Sequence, residues 1–178
     1  MRAQAACEKA LDQFHAGDPE AAKRTLRAHL QREPAEPNVN QLLAMIFAAL
    51  GEWPQALFHV ARAADASPGN AELRFMHANT LYQMGRSDEA LAIAQRVLAI
   101  DPAHPGAVQI AAKVHFSRGA FADAAGLIRA AISVSPSPAQ LYQEGAIMLQ
   151  ELGRTADSTA LLREAVKRFP TDVRLVVQ

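Results

Sequence analysis

Apolar residues recur along the chain at spacings of three and four, the period of amphipathic helices, and no stretch needs a strand. Two residue types punctuate this pattern. Glycines stand at Gly17, Gly51, Gly85, Gly119 and Gly153, and prolines at Pro34, Pro68, Pro102, Pro136 and Pro170, both at intervals of 34 residues. Each proline follows its glycine by 17 residues. The register predicts five repeats, 3–36, 37–70, 71–104, 105–138 and 139–172. Residues 173–178 read as the start of a further helix, and 1–178 as a single domain.

Each repeat reads as a pair of helices. Glycine ends the first, where a left-handed turn residue is favoured. Asp18-Pro19-Glu20 opens a second helix with a capping side chain before a proline, and Ser87-Asp88-Glu89 and Thr155-Ala156-Asp157 read as similar starts. The later proline closes the second helix. Small residues recur where two helices must approach: Ala10, Ala44, Ala78, Ala112 and Ala146 on first helices, and Ala22, Ala56, Ala90, Ala124 and Ser158 on second helices. Leu26, Val60, Ile128 and Leu162, with Leu43 and Phe47, are candidates for the core between them.

This pattern resembles the tetratricopeptide repeat, a 34-residue helix–turn–helix unit. Leu43-Ala44, Phe47, Gly51, Ala56, Val60, Ala63 and Pro68 carry the likeness in repeat two, and Ala78, Leu81, Gly85, Ala90, Val97 and Pro102 in repeat three. The resemblance implies an all-α fold, a right-handed α-α superhelix (solenoid) of five helix-turn-helix repeats, with first helices lining a concave groove. There are departures. At position 4, where the family favours an aromatic, stand Ala6, Asn40, Arg74 and Val108, and only Tyr142 fits. Lys9 at a normally apolar position suits an end repeat. Gly145 and Ser158 lead us to expect repeat five to be the loosest.

Composition narrows the function. Half the residues are hydrophobic, a fifth are charged and the net charge is zero, which argues against disorder and against bulk electrostatic binding to nucleic acid or anionic membrane. The longest apolar run, Leu42 to Leu50, is too short to span a bilayer, and no apolar leader follows Met1. With Cys7 as the lone cysteine, a reducing, cytoplasmic location is expected.

Catalytic and metal chemistry find no constellation. His15, His29, His59, His77, His104 and His115 form no HxH or HExxH pair, Cys7 has no nearby basic cluster, and no glycine-rich phosphate cradle or GxSxG occurs. No enzyme activity, cofactor or metal is expected of this chain. Lys23, Arg24, Arg27, Arg62, Arg96, Arg129, Arg163, Lys167 and Arg168 recur on second helices. They read as a solvated face, with a weak nucleic-acid or phospholipid contact as the lesser reading.

The candidate site is the first-helix stripe, positions 2, 5, 9, 12 and 13, which lie on one helical face. Its proposed binding residues are Gln41, Met45, Phe75, Asn79, Tyr82, Gln83, Gln109, Lys113, Phe116 and Gln143. Amides offer donor and acceptor to a peptide backbone, while aromatics and methionine offer adaptable apolar contact. Two groove chemistries known in the family are missing. Of a carboxylate clamp only Lys113 and Asn79 are present, and position 6 reads Glu8, Leu42, Met76, Ile110 and Glu144 in place of an asparagine ladder. The expected function is a non-catalytic module that binds a protein or peptide segment in its groove. One alternative, by analogy, is the repeat arm of a longer bacterial enzyme such as a glycosyltransferase related to O-linked N-acetylglucosamine transferase. The other is a self-associating, homodimeric module. Val173 to Gln178 lead us to expect that the native chain continues or that this stub packs on repeat five or a neighbouring molecule.

Overall fold

The computed structural model describes residues 2–134 and 139–170. These residues form ten helices: α1 (Ala3–His15), α2 (Pro19–Leu30), α3 (Pro37–Ala49), α4 (Trp53–Ala66), α5 (Ala71–Gln83), α6 (Ser87–Ile100), α7 (Pro105–Ser117), α8 (Phe121–Val134), α9 (Ala139–Glu151) and α10 (Thr155–Arg168). No strand occurs among the described residues. Residues 173–178 and Pro136 lie outside them.

All five period-setting glycines have positive φ, between 70° and 83°. Gly51 illustrates why. Its N–H bonds to the Ala48 carbonyl at 3.0 Å, and the Glu52 N–H reaches back to Phe47 at 2.8 Å. These two bonds satisfy the last carbonyls of α3, and they require a left-handed residue that any Cβ would strain. The same pair of bonds closes α1, α5, α7 and α9. Pro34, Pro68, Pro102 and Pro170 each stand just beyond the end of a second helix.

Helix starts are more varied than the sequence suggests. Asp18 caps α2 as expected, its Oδ1 accepting from the Ala21 N–H at 2.8 Å, and Asn70 does the same for α5 through Leu73 at 3.1 Å. Thr155 does not cap α10. The N-cap is Arg154, which lacks a side-chain cap, and its guanidinium pairs with Asp157 at 2.6 Å instead. Arg86 makes the equivalent bidentate pair with Glu89 at the start of α6. A carboxylate in the first turn also favours the helix dipole.

Contacts divide the chain into two compact units, Met1–Glu89 and Ala90–Gln178. In the first, α1 packs on α2, α3 on α4 and α4 on α5; in the second, α7 packs on α8, α8 on α9 and α9 on α10. The predicted small residues are buried. Ala10, Ala22, Ala56, Ala78, Ala90, Ala112 and Ala124 are fully buried. Leu26, Leu43, Phe47 and Val39 fill the first core, and Ile128, Leu141, Tyr142 and Leu149 the second. Leu162 only edges the second core, where Leu161 is the buried residue of that pair. Gly145 takes on a different meaning from the one expected. A Cβ there would lie 2.9 Å from Ile128 Cγ2 and 3.0 Å from Leu161 Cδ2, so the glycine lets α9 sit close between α8 and α10.

Position 4 also has a physical explanation. The buried Asn40 amide donates to the carbonyls of Pro34 (3.0 Å) and Glu36 (2.9 Å), and Arg74 Nε donates to Pro68 at 2.8 Å. Polar side chains here satisfy the carbonyl of the preceding repeat's proline. Tyr142 fills the same position as an aromatic, its hydroxyl accepting from Arg168 at 2.5 Å.

Candidate partner-binding surface

The first-helix stripe of the first unit mixes amide and apolar side chains. Met45 is half exposed, Gln83 is exposed, and Gln41, Phe75, Asn79 and Tyr82 are partly buried. Gln41 does not offer its whole amide to solvent, because its Nε2 donates to Met76 Sδ at 3.5 Å. That contact joins position 5 of one repeat to position 6 of the next.

The second unit repeats this link with different chemistry. Gln109 Nε2 donates to Glu144 Oε1 at 2.7 Å, again position 5 to position 6. Gln140 donates to the same oxygen at 3.1 Å, and the Lys113 ammonium lies 3.5 Å from it. Glu144 Oε2 is buried without a partner. Phe116 is partly buried and tilts against Phe121, their centroids 4.9 Å apart, and Gln143 is partly buried on α9. The structure thus gathers Gln109 and Lys113 around Glu144. Sequence reasoning had noted Glu144 only as a gap in an asparagine ladder. The missed signal is the spacing Gln109, Gln140 and Glu144, which places two amides beside one carboxylate.

Apolar exposure falls partly on the stripe; Leu50, Phe58, Ile100 and Val166 are also exposed and lie off it. Leu11 (37% exposed), Met45 (50%) and Ile147 (45%) are three of the large exposed hydrophobic residues, and all three occupy position 9 of their repeats.

Seven of the nine second-helix cations are exposed, as expected; Lys23 is buried and Arg62 partly buried. Lys23 is 4% exposed. Its ammonium pairs with Glu20 at 2.6 Å and Glu52 at 2.9 Å and lies 5.2 Å from the centroid of Phe47. Hydrogen bonds to these two carboxylates hold Lys23 charged, above the usual lysine range. Phe47 in turn stacks on His59, centroids 5.6 Å apart and 10° from parallel. Since the Asn40 amide nitrogen is a donor to two carbonyls, its Oδ1 is the acceptor for His59 Nδ1 at 2.9 Å, which fixes the proton on Nδ1. Burial, with Arg27 and Arg62 nearby, lowers the His59 pKa to about 4. Arg62 is anchored as well, donating to the Pro34 carbonyl at 3.2 Å.

Burial, and then Glu36 and Glu8, push the Cys7 thiol pKa up, which keeps it a poor nucleophile. Among the described residues, no group of three or more His, Cys, Asp or Glu is placed to hold a metal ion, and no helix is long and apolar enough to cross a membrane.

Comparison with known proteins gives a uniform answer on fold. One tetratricopeptide repeat model matches residues 47–114 and 81–144, and a second matches residues 7–71. Among solved structures, MamA aligns with a TM-score of 0.81 at 16% identity, covering 96% of this chain and 93% of its own. A tetratricopeptide repeat protein from Parabacteroides merdae aligns at 0.78 and 21% identity, over 97% of this chain and 68% of its own. YrrB, described as having an unusual peptide-binding site, aligns at 0.73 and 14% identity, over 96% and 88%. At these identities the likeness speaks for the fold alone. No curated protein matches the chain in sequence.

Proposed function

Because the chain belongs to the tetratricopeptide repeat family, we propose that it is a non-catalytic interaction module whose first helices bind a protein or peptide segment. The repeated exposure of Leu11, Met45 and Ile147 at position 9 carries this reading. Around them the stripe supplies Gln41, Phe75, Asn79, Tyr82 and Gln83 in the first unit, and Gln109, Lys113, Phe116 and Gln143 in the second. Aromatic and methionine side chains give a partner apolar anchors, and the Gln41 and Gln109 amides, whose nitrogens donate within the chain, have carbonyl oxygens that can accept.

The test begins with peptides selected on the whole chain from a random twelve-residue display library. Phe75→Ala and Tyr82→Ala are each expected to weaken a selected peptide by about 1–3 kcal/mol with helicity unchanged. Arg24→Glu with Arg96→Glu serves as the second-helix control, since both side chains are exposed. Arg62 is unsuitable for that purpose because it anchors the Pro34 carbonyl. Peptides that respond to the arginine pair and ignore Phe75 and Tyr82 would place the binding surface elsewhere. A rise in solution mass with concentration, abolished by Met45→Glu, would identify a second copy of the chain as the occupant.

A further inference from the structure

The side chain at position 4 of a first helix meets one face of the second helix of its own repeat. In repeat two, Asn40 bonds to His59, which stands at position 23. In repeat five, the Tyr142 hydroxyl accepts from Arg168 at position 30 and donates to Glu164 at position 26. Leu161 and Ala165, at positions 23 and 27, belong to the same core as Tyr142. In repeat one, position 4 is Ala6, a one-carbon side chain that is fully buried. The matching face of α2 is Thr25, Ala28, His29 and Arg32, at positions 23, 26, 27 and 30, and these four residues line a cavity of about 110 Å³. The face that meets a tyrosine in repeat five thus borders a cavity where the tyrosine is replaced by alanine. Ala28 and Arg32 are exposed and form its mouth, while the buried His29 forms its inner wall.

The lining selects an occupant. Arg32 stands where Arg168 serves the tyrosine hydroxyl in repeat five, and the Thr25 hydroxyl is committed to Gln13 Oε1 at 2.7 Å. The Glu33 carboxylate, 3.7 Å from His29 Nε2, disfavours an anion and is too far for a hydrogen bond. His29 Nε2 is buried without a partner, so the wall is polar and suits a hydrocarbon poorly. A cavity of ~150 Å³ holds a whole benzene; this one, smaller and open at its mouth, admits the hydroxyl end of a ring. We propose that this face of α2 is a phenol-binding site, in which the ring lies against Ala28 and His29 and its hydroxyl accepts from Arg32. The site is apart from the first-helix stripe and does not depend on the function proposed above.

The test titrates 4-methylphenol, the tyrosine side chain as a free molecule, into the isotope-labelled whole chain and follows backbone amide shifts. Saturable shifts centred on Thr25, Ala28, His29 and Arg32 are expected, with affinity at least roughly tenfold above that for toluene, the lower end for a hydrogen bond to a charged group. Arg32→Met is expected to remove that preference. Ala6→Tyr fills the position from within, as Tyr142 does in repeat five, and is expected to abolish binding. Should Ala6→Tyr fail to fold, Ala28→Leu, a change at an exposed residue of the mouth, carries the same expectation. N-acetyltyrosine amide separates the two sources of a phenol. Its binding identifies a tyrosine of a protein partner, whereas binding of 4-methylphenol alone identifies a free phenol. Three results overturn the proposal: no saturable shift on α2, equal affinity for toluene, or binding that is unchanged in the folded Ala6→Tyr or Ala28→Leu protein.

Discussion

Asn40 in the first unit and Tyr142 in the second occupy the same repeat position and are both fully buried, yet they stabilise it by opposite means. Asn40 is a junction of hydrogen bonds. It joins two carbonyls of the preceding turn to His59, which stacks on Phe47. Tyr142 fills space. It packs edge-on to Phe169 with centroids 5.9 Å apart and leaves only its hydroxyl to be satisfied, accepting from Arg168 and donating to Glu164. The repeat therefore fixes the backbone and the direction of position 4, and either a saturated polar network or an aromatic can occupy it. The two solutions differ in their weaknesses. A network loses several bonds when one member goes, whereas an aromatic loses contact area.

That difference sets the largest expected effect. Asn40→Ala strips donors from the Pro34 and Glu36 carbonyls and the acceptor from His59. The Pro34 carbonyl keeps Arg62 and the Glu36 carbonyl keeps the residue-40 main-chain N–H, so the group left unsatisfied is His59 Nδ1–H, and we expect a loss of about 1–3 kcal/mol in chemical unfolding. Tyr142→Phe, which keeps the ring, should cost about 1 kcal/mol. Equal losses would erase the contrast between the two positions.

Next comes pH. The folded chain holds His59 at a pKa of about 4, against 6.5 for an unperturbed histidine. The unfolded chain takes up a proton that the folded chain refuses, so the contribution is complete above pH 6.5 and is lost as pH falls from there towards 4. Stability followed across that window should decline in the native chain, and less steeply in His59→Phe, which keeps a ring on Phe47 but cannot titrate. Parallel slopes would show that His59 does not carry the acid sensitivity.

Two smaller effects lie in the second unit. Gly145→Ala sets a helix-propensity gain of up to about 1 kcal/mol against overpacking of roughly 1–3 kcal/mol. Ile128 is branched at Cβ and stiff, and its Cγ2 is 2.9 Å from the new carbon. Overpacking is expected to win, and the melting temperature to fall. Ser158 should behave in the reverse sense. Its hydroxyl is buried with no partner, so Ser158→Ala is expected to raise stability by about 1 kcal/mol, a gain that differential scanning calorimetry would detect. A loss would mean that the hydroxyl has a partner in solution.

The fold was legible because its punctuation is local. Glycine at a positive φ and proline after a helix act within one turn, so their 34-residue interval in the sequence already marks where the first helices end and the second helices stop. The stripe was legible in part for a related reason, since helical spacing alone puts Met45 and Ile147 on an outer face. Pairings between repeats were not. Lys23 reads as a surface cation until Glu52, 29 residues away, comes within 2.9 Å. Asn40 reads as a missing aromatic until its bonds to the previous turn are seen. Glu144 reads as an interruption until Gln109, 35 residues earlier, is found on its oxygen. Periodicity tells which way a side chain faces, whereas the partner across the next repeat depends on how closely the helices pack.

Where a partner touches the chain is the most direct question that remains. Backbone amide shifts of the isotope-labelled chain, recorded with and without a selected peptide, would answer it. The account predicts that the largest changes fall on α3, α5, α7 and α9, around Met45, Phe75, Tyr82, Gln109 and Ile147. Changes concentrated instead on α2, α4, α8 and α10, with the first helices undisturbed, would contradict it.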